Sequence, residues 1–426
     1  MATALFENVS DAYQQKLAND MQYWYENNTP TYQALDRYFP QEPITEKGVR
    51  IPFVARRPGG HGGWLPSNSS FNAATPPRTD SMYAFPVGYA MPAVLGGSLI
   101  TALRQGDTQA KMTFAQYMEQ YTQAATKRFN QMINGDGSGV LGYAGSTHAS
   151  TGSATLTCDT TPVAAIGHTK GGVRFEEGHT YQAINASTNA IRGTFTVTTP
   201  GTSSCVINIT SGSITSGDPI VDPNSWQRWY RGLWHLIGNT SRIIQGKNTT
   251  SNPQLNDPIV DLAGQYLNPA AFRSVKSALQ VRNNDVMAEN NLFCNMTPGQ
   301  YTVLLKQGYN LRFYVNGNNG KVTGVANTYE DGDTLVVRDA DAEEDKIAFW
   351  MKEGGLKKYV ERDLQMADLD GQQFRMLFGA NNTGSDDYQT AWVARIAMVK
   401  EKTRQCAGII RASVTGVETQ ASVGAA

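Results

Sequence analysis

Asn134, Asp136 and Ser138 put side-chain oxygens at alternate positions of the stretch NGDGSG, with Gly139 next. A calcium-binding loop begins in this way, with oxygen ligands on every second residue and then a glycine for the turn. Its twelfth position should be a bidentate glutamate, but here it is Gly145. No second helix follows, so calcium is not expected. A phosphate cradle fails on other grounds: such loops end in Gly-Lys-Ser/Thr and open a helix, whereas this one closes a helix. Nor is Ser138 a nucleophile elbow, because Asp136 stands where the first glycine of GxSxG belongs. A glycine-rich connector joining two parts of the chain is the reading that remains.

Other residues with chemical potential are scattered. His61, His148, His168, His179 and His235 fall in Gly- or Thr-rich loops or beside tryptophan, without HExxH spacing. Cys158, Cys205, Cys294 and Cys406 are far apart in the chain, with no CxxC pair. Reduced thiols are therefore expected and a zinc site is not. With no nucleophile–base motif, no catalytic, cofactor-binding or metal-binding residue is assigned, and a non-enzymatic protein is expected. The acidic run DADAEED at 339–345 could chelate a cation, but such runs usually form solvated loops. The segment SWQRWYRGLWHLIG carries Trp226, Trp229, Tyr230 and Trp234 beside Arg228 and Arg231. These could stack on bases; a buried hinge or interface patch is the stronger expectation.

The bulk composition narrows the class. The chain has 426 residues, enough for two or three domains. Charged residues make up 17%, low against about 25% in ordinary domains. Asn, Gln, Ser, Thr and Gly fill the difference, a surface that favours neutral contacts between copies. A net charge of −1 gives no field to attract nucleic acid or an anionic membrane. The opening MATALFENVSDAYQQKL is not patterned as a secretory signal, and no stretch is patterned as a membrane span.

Residues 10–39 carry a helical pattern through Tyr13, Leu17, Met21 and Trp24, interrupted at Pro30 where a second short helix can start. VRIPFVARRPGGHGGWLP and RTDSMYAFPVGYAMPAV read as the two arms of a long, edge-like hairpin, because prolines argue against central strands. About fifteen residues per arm would reach roughly 50 Å, too far for the hairpin to bury itself on its own domain. Arg56, Arg57 and Arg78 lie on it. They are either solvated or paired with carboxylates of a neighbouring copy. From 109 to 134, Phe114, Tyr117, Met118, Tyr121, Ala125, Phe129 and Met132 form one apolar helical stripe. Residues 150–222 alternate in short Thr-, Ser- and Val-rich runs, a compact all-β module. Beyond them come helices at 268–281 and 298–306, strands around LRFYV and TLVVRD, and the strand-like runs KIAFWM, QFRMLFG, TAWVARIAMV and AGIIRAS.

The order of these parts resembles the major capsid proteins of tailed bacteriophages, with their Hong Kong 97-type (HK97-like) fold. MYAFPVGYAMPAVLGGSLITAL resembles the return arm of that family's extended loop. TFAQYMEQYTQAATKRFNQMINGDGSG resembles its spine helix. VRFEEGHTYQA with ITSGDPIV resembles a β module found in some members, MTPGQYTVLL a short helix after an Asn/Thr-Pro start, and WVARIAMVKEKTRQCAGIIRAS the closing strands. The resemblance implies an α+β fold: N-terminal arm (1–45), extended loop (46–103), peripheral domain with spine helix (104–149), inserted β module (150–222), axial domain (223–345), and closing strands with a tail (346–426). It implies a virion protein, assembled in the host cytoplasm into hexamers and pentamers of an icosahedral head around double-stranded DNA. A separate scaffolding protein, a portal and a decoration protein are the implied partners. Arg56, Arg57, Trp64, Arg78 and Trp24 are the candidate intersubunit contacts. Some members cross-link through a lysine in the extended loop; residues 49–95 contain none, so no such residue is carried over. An encapsulin-like compartment shell is the alternative, and a carbohydrate-binding protein built on the β module is a more distant one.

Overall fold

A computed structural model describes residues 29–56, 58–59, 75–159, 171–201, 203–238, 241–262, 267–283, 292–304, 334–343, 346–352, 355–367, 375–378, 384–400 and 406–410. The expected helix over 10–28, the strand at LRFYV, and the candidate contacts Trp24, Arg57 and Trp64 lie outside them.

Helix α1 (Pro30–Tyr38) starts on a proline, whose fixed φ suits a first helical turn. Strands β1 (Gln41–Pro43), β2 (Val49–Arg56), β3 (Arg78–Ala84) and β4 (Val87–Leu95) follow, then helices α2 (Gly97–Arg104) and α3 (Thr108–Asn134). The α3 start is set by Asp107, whose carboxylate accepts from the Gln109 amide at 2.9 Å. Its apolar stripe buries Phe114, Met118, Ala125, Phe129 and Met132. Tyr117 departs from the expected stripe and is 47% exposed. Tyr121, on the same side, is half-buried and stacks on Trp392 at 5.9 Å.

The β module is a closed barrel. Strands β5 (Val140–Ala144), β6 (Gly152–Asp159), β7 (Thr180–Ile184), β8 (Ile191–Thr199), β9 (Ser204–Gly212) and β10 (Pro219–Val221) pair in the order β10-β5-β6-β9-β8-β7, with β7 closing on β10. Alternation drives the closure: Leu156, Tyr181, Phe195, Val197, Ile207 and Ile209 point inward, and mostly polar residues such as Thr196 and Asn208 alternate with them. The barrel begins at Val140, ahead of the expected 150, because the glycine connector feeds directly into its first strand.

Two open sheets complete the fold, after helix α4 (Leu233–Leu236) and the small ribbon β11 (Ile243–Ile244) with β12 (Lys247–Asn248). One sheet holds β13 (Ile259–Asp261), β14 (Leu292–Met296), β15 (Leu335–Arg338), β16 (Lys346–Met351) and β20 (Cys406–Ile410), in the order β13-β20-β16-β14-β15. Strand β16 is buried at every residue because both of its faces are covered. On one side Phe272, Val275 and Leu279 of helix α5 (Pro269–Asn283) join Ile347, Phe349 and Met351 in one apolar cluster. On the other, Trp350 and Phe293 join the main core, where Phe39 after α1 meets Phe293 edge-on at 5.4 Å.

The other sheet runs β1-β17-β19-β18, from β17 (Leu356–Met366), β18 (Arg375–Phe378) and β19 (Gly384–Lys400). Strand β4 pairs with β19 from Leu95↔Tyr388 to Val87↔Ile396, on the side opposite β17. This corrects the sequence expectation, in which residues 87–95 belonged to the hairpin. The chain breaks at Phe85–Pro86, and the return run becomes a sheet strand. Its Pro92 is tolerated because β4 is the sheet's edge.

Candidate functional site

The hairpin proper is β2 with β3, from Val49↔Ala84 to Arg56↔Arg78, and a further bridge at Gly59↔Thr75 extends it. The eleven positions from Val49 to Gly59 span roughly 35 Å. Its inner face is apolar: Ile51 and Phe53 are 6% exposed and Met82 is fully buried. The expectation that the hairpin finds no cover on its own chain is therefore overturned at the root. The root also has polar fastenings. Lys247 Nζ meets Asp80 Oδ1 at 2.7 Å. The Tyr83 amide donates to the Gln245 carbonyl at 2.9 Å. Arg50 Nε donates to Ser81 Oγ at 2.8 Å. Lys247 and the Ser81 amide hold the Asp80 carboxyl below the usual carboxylate range.

The outer face is open. Val54, Tyr83 and Phe85 are 51%, 44% and 61% exposed. At the far end of the paired strands Arg56 and Arg78 stand directly opposite each other, both exposed. Like charges in that arrangement repel. Arg56 donates to the Pro76 carbonyl at 3.2 Å, and neither arginine forms an ion pair among the described residues.

The acidic run at 339–345 is the largest departure from expectation. Asp339 and Glu343 are 2% and 3% exposed, so the solvated-loop reading is overturned for 339–343; Glu344 and Asp345 lie outside the described residues. Neutral donors satisfy the Asp339 carboxylate: Asn130 Nδ2 reaches its two oxygens at 3.0 and 2.9 Å, Asn134 Nδ2 lies at 2.9 Å, and the Thr31 hydroxyl donates to Oδ2. Asp341 accepts from Asn130 at 3.0 Å and Gln131 at 3.2 Å. Asn295 donates to the Asn134 side-chain oxygen. One carboxylate thus joins the start of α1 and the end of α3, while the amide chain reaches β14. Burying it is tolerated because hydrogen bonds replace the lost water.

The glycine connector is a tight turn. Asp136 Oδ1 accepts from the Ser138 amide at 2.9 Å and its hydroxyl at 2.6 Å, so the would-be calcium ligands bind each other. Gly139 has φ +80°, and a Cβ there would lie 2.5 Å from the Ser225 carbonyl. The aromatic segment packs against this turn, with Trp229, Tyr230 and Trp234 buried. Phe129 of α3 meets Tyr230 edge-on at 5.5 Å. His235 sits here too. Burial, with Arg231 and Arg242 nearby, lowers its pKa to about 4.

Among the described residues no group of three or more His, Cys, Asp or Glu is placed to hold a metal ion. Among them, too, no helix is long and apolar enough to cross a membrane. Cys158 and Cys205, remote in the chain, meet inside the barrel.

No protein-family description and no curated protein matches the sequence. Solved structures do match. The capsid asymmetric unit of cyanophage A-1(L) superposes with a TM-score of 0.55 at 10% identity, covering 90% of this chain and 93% of that one. The capsid of an empty GTA particle gives 0.41 at 10% identity, covering 89% and 96%. An encapsulin from Synechococcus elongatus gives 0.38 at 8% identity, covering 90% and 89%. The chain has the α+β, HK97-like fold of phage capsid proteins.

Proposed function

We propose that the chain is the major head protein of a tailed bacteriophage, forming hexamers and pentamers of an icosahedral shell around double-stranded DNA. One observation carries the reading: the likeness to the cyanophage capsid runs through nine-tenths of both chains. The hairpin geometry supports it. Met82, Phe53 and the Lys247–Asp80 pair fasten the described part of the hairpin to its own chain. The exposed outer face and the Arg56–Arg78 pair then meet carboxylates and apolar groups of the next copy. In this reading the partners are a scaffolding protein, a portal and a decoration protein, and assembly takes place in the host cytoplasm. Near-neutral charge suits a wall that encloses DNA without reading it.

The test is co-expression with a scaffold partner, followed by electron microscopy. Wild-type protein is expected as closed shells or capsomers. A double variant, Arg56→Glu with Arg78→Glu, is expected to keep its melting temperature but lose shells. A chain that stays monomeric and is absent from virions overturns the reading. Shells that copurify with a cargo enzyme and no nucleic acid replace it with a compartment shell.

A further inference from the structure

In the barrel, β6 and β9 run antiparallel with Leu156 opposite Cys205 and Thr157 opposite Ser204. The ladder continues where the Cys158 amide donates to the Ser203 carbonyl at 2.8 Å. Cys158 and Cys205 therefore share the interior face as diagonal neighbours, with their sulfurs 3.9 Å apart. They are 3% and 2% exposed, and both are free thiols. The surroundings are close: a Cβ on Gly172 would come within 3.2 Å of the Cys158 sulfur and 2.0 Å of the Gly201 carbonyl. The remainder of the interior is filled by Leu, Ile, Val, Phe and Tyr, so packing alone calls for no thiol here.

We propose that Cys158 and Cys205 are a latent disulfide, formed by a peroxide-class oxidant, that bolts β6 to its neighbour β9 on the inner face of the barrel. The sulfurs must close by about 2 Å to reach bonding distance. Cys158 is the penultimate residue of β6 and Cys205 the second of β9, so strand ends take up the movement and the middle of the ladder stays in place. The bond links positions 47 apart, a loop that contains β7 and β8 and restricts the unfolded chain strongly.

The chemistry balances. The hydrogen bond from Cys158 favours the thiolate of Cys205, which is the attacking sulfur. It displaces hydroxide from hydrogen peroxide, which leaves as water after taking a proton, and the sulfur becomes a sulfenic acid. The Cys158 sulfur then attacks that sulfur and expels its oxygen as a second water, forming the S–S bond. Two thiols and one peroxide give one disulfide and two waters. The hydrogen bond to Cys205, with burial, holds the Cys158 thiol protonated, and its proton leaves with the expelled oxygen in the second water. For a head protein, whose identity here rests on the proposed function, the bond would form after release from a reducing cytoplasm.

The experiment needs only the purified chain, so its result is independent of shell formation. Peroxide-treated and untreated protein is denatured, alkylated and digested for mass spectrometry. The expected result is loss of two of the four alkylatable thiols and a linked peptide pair holding positions 158 and 205. The melting temperature should rise by several degrees, reversibly with reductant. Cys205→Ser and, should it fold poorly, Cys205→Val should abolish both effects. Four alkylatable thiols after treatment, oxygen addition without a linked pair, or a link through Cys294 or Cys406 would each overturn the proposal.

Discussion

The barrel and the hairpin are both antiparallel β-structure, but they solve the problem of open edges in opposite ways. In the barrel β7 closes on β10, every strand has two neighbours, and Tyr181, Phe195 and Ile207 fill the interior. The hairpin has two strands, one buried face and one face left exposed at Val54, Tyr83 and Phe85. Closure satisfies backbone groups within the molecule, whereas a ribbon carries unsatisfied demand outward. The contrast separates a part stabilised by its own ladder from one whose stability is borrowed, at the root from its own chain.

The largest test of that contrast is Phe195→Ala, which should lower stability by about 4 kcal/mol in denaturant titration through the cavity left in the barrel. Met82→Ala should cost about 3 kcal/mol, and faster hydrogen exchange should be confined to residues 49–56 and 78–84. Loss of protection in barrel amides as well would break the comparison.

Acid should act beside the glycine connector that leads into the barrel. His235 is neutral in the folded chain, with its pKa lowered from 6.5 to about 4 by burial and two arginines. The unfolded chain therefore takes up the proton first as pH falls. Stability from this group is intact above 6.5 and declines as pH drops towards 4, by about 2 to 3 kcal/mol. Thermal unfolding across that range should show the decline, and His235→Gln should flatten it. The smallest effect is expected from Lys247→Met. Its pair with Asp80 is partly exposed, so the loss should be slight and vanish in high salt. Asp80, with its pKa lowered, contributes above the carboxylate range, and that share fades as pH falls through its lowered value.

Periodicity made much of this fold legible. The stripe from Phe114 to Met132 and the alternation around Phe195 are local signals, and each gave its element. Tertiary pairing was less legible. Prolines 86 and 92 marked an edge, but the edge belongs to the β19 sheet, and only the partner strand Tyr388–Ile396 decides that. The run at Asp339 looked solvated because its donors, Thr31, Asn130 and Asn134, lie more than two hundred positions away. Cys158 and Cys205 became neighbours only once the register of β6 on β9 was known. Of the candidate contacts, Arg56 and Arg78 lie on the described hairpin, and their direct opposition is a geometry the spacing alone did not contain.

The barrel's first and last strands are hydrogen-bonded to each other, with Val140 beside Val221. Chain therefore departs from the scaffold and rejoins it at one doorway. Any substitute cassette has only to present two adjoining antiparallel ends, and a minimal one is a plain reverse turn. Outward loops such as Asn185–Ala190 then become places to mount a foreign epitope without touching the spine or either open sheet.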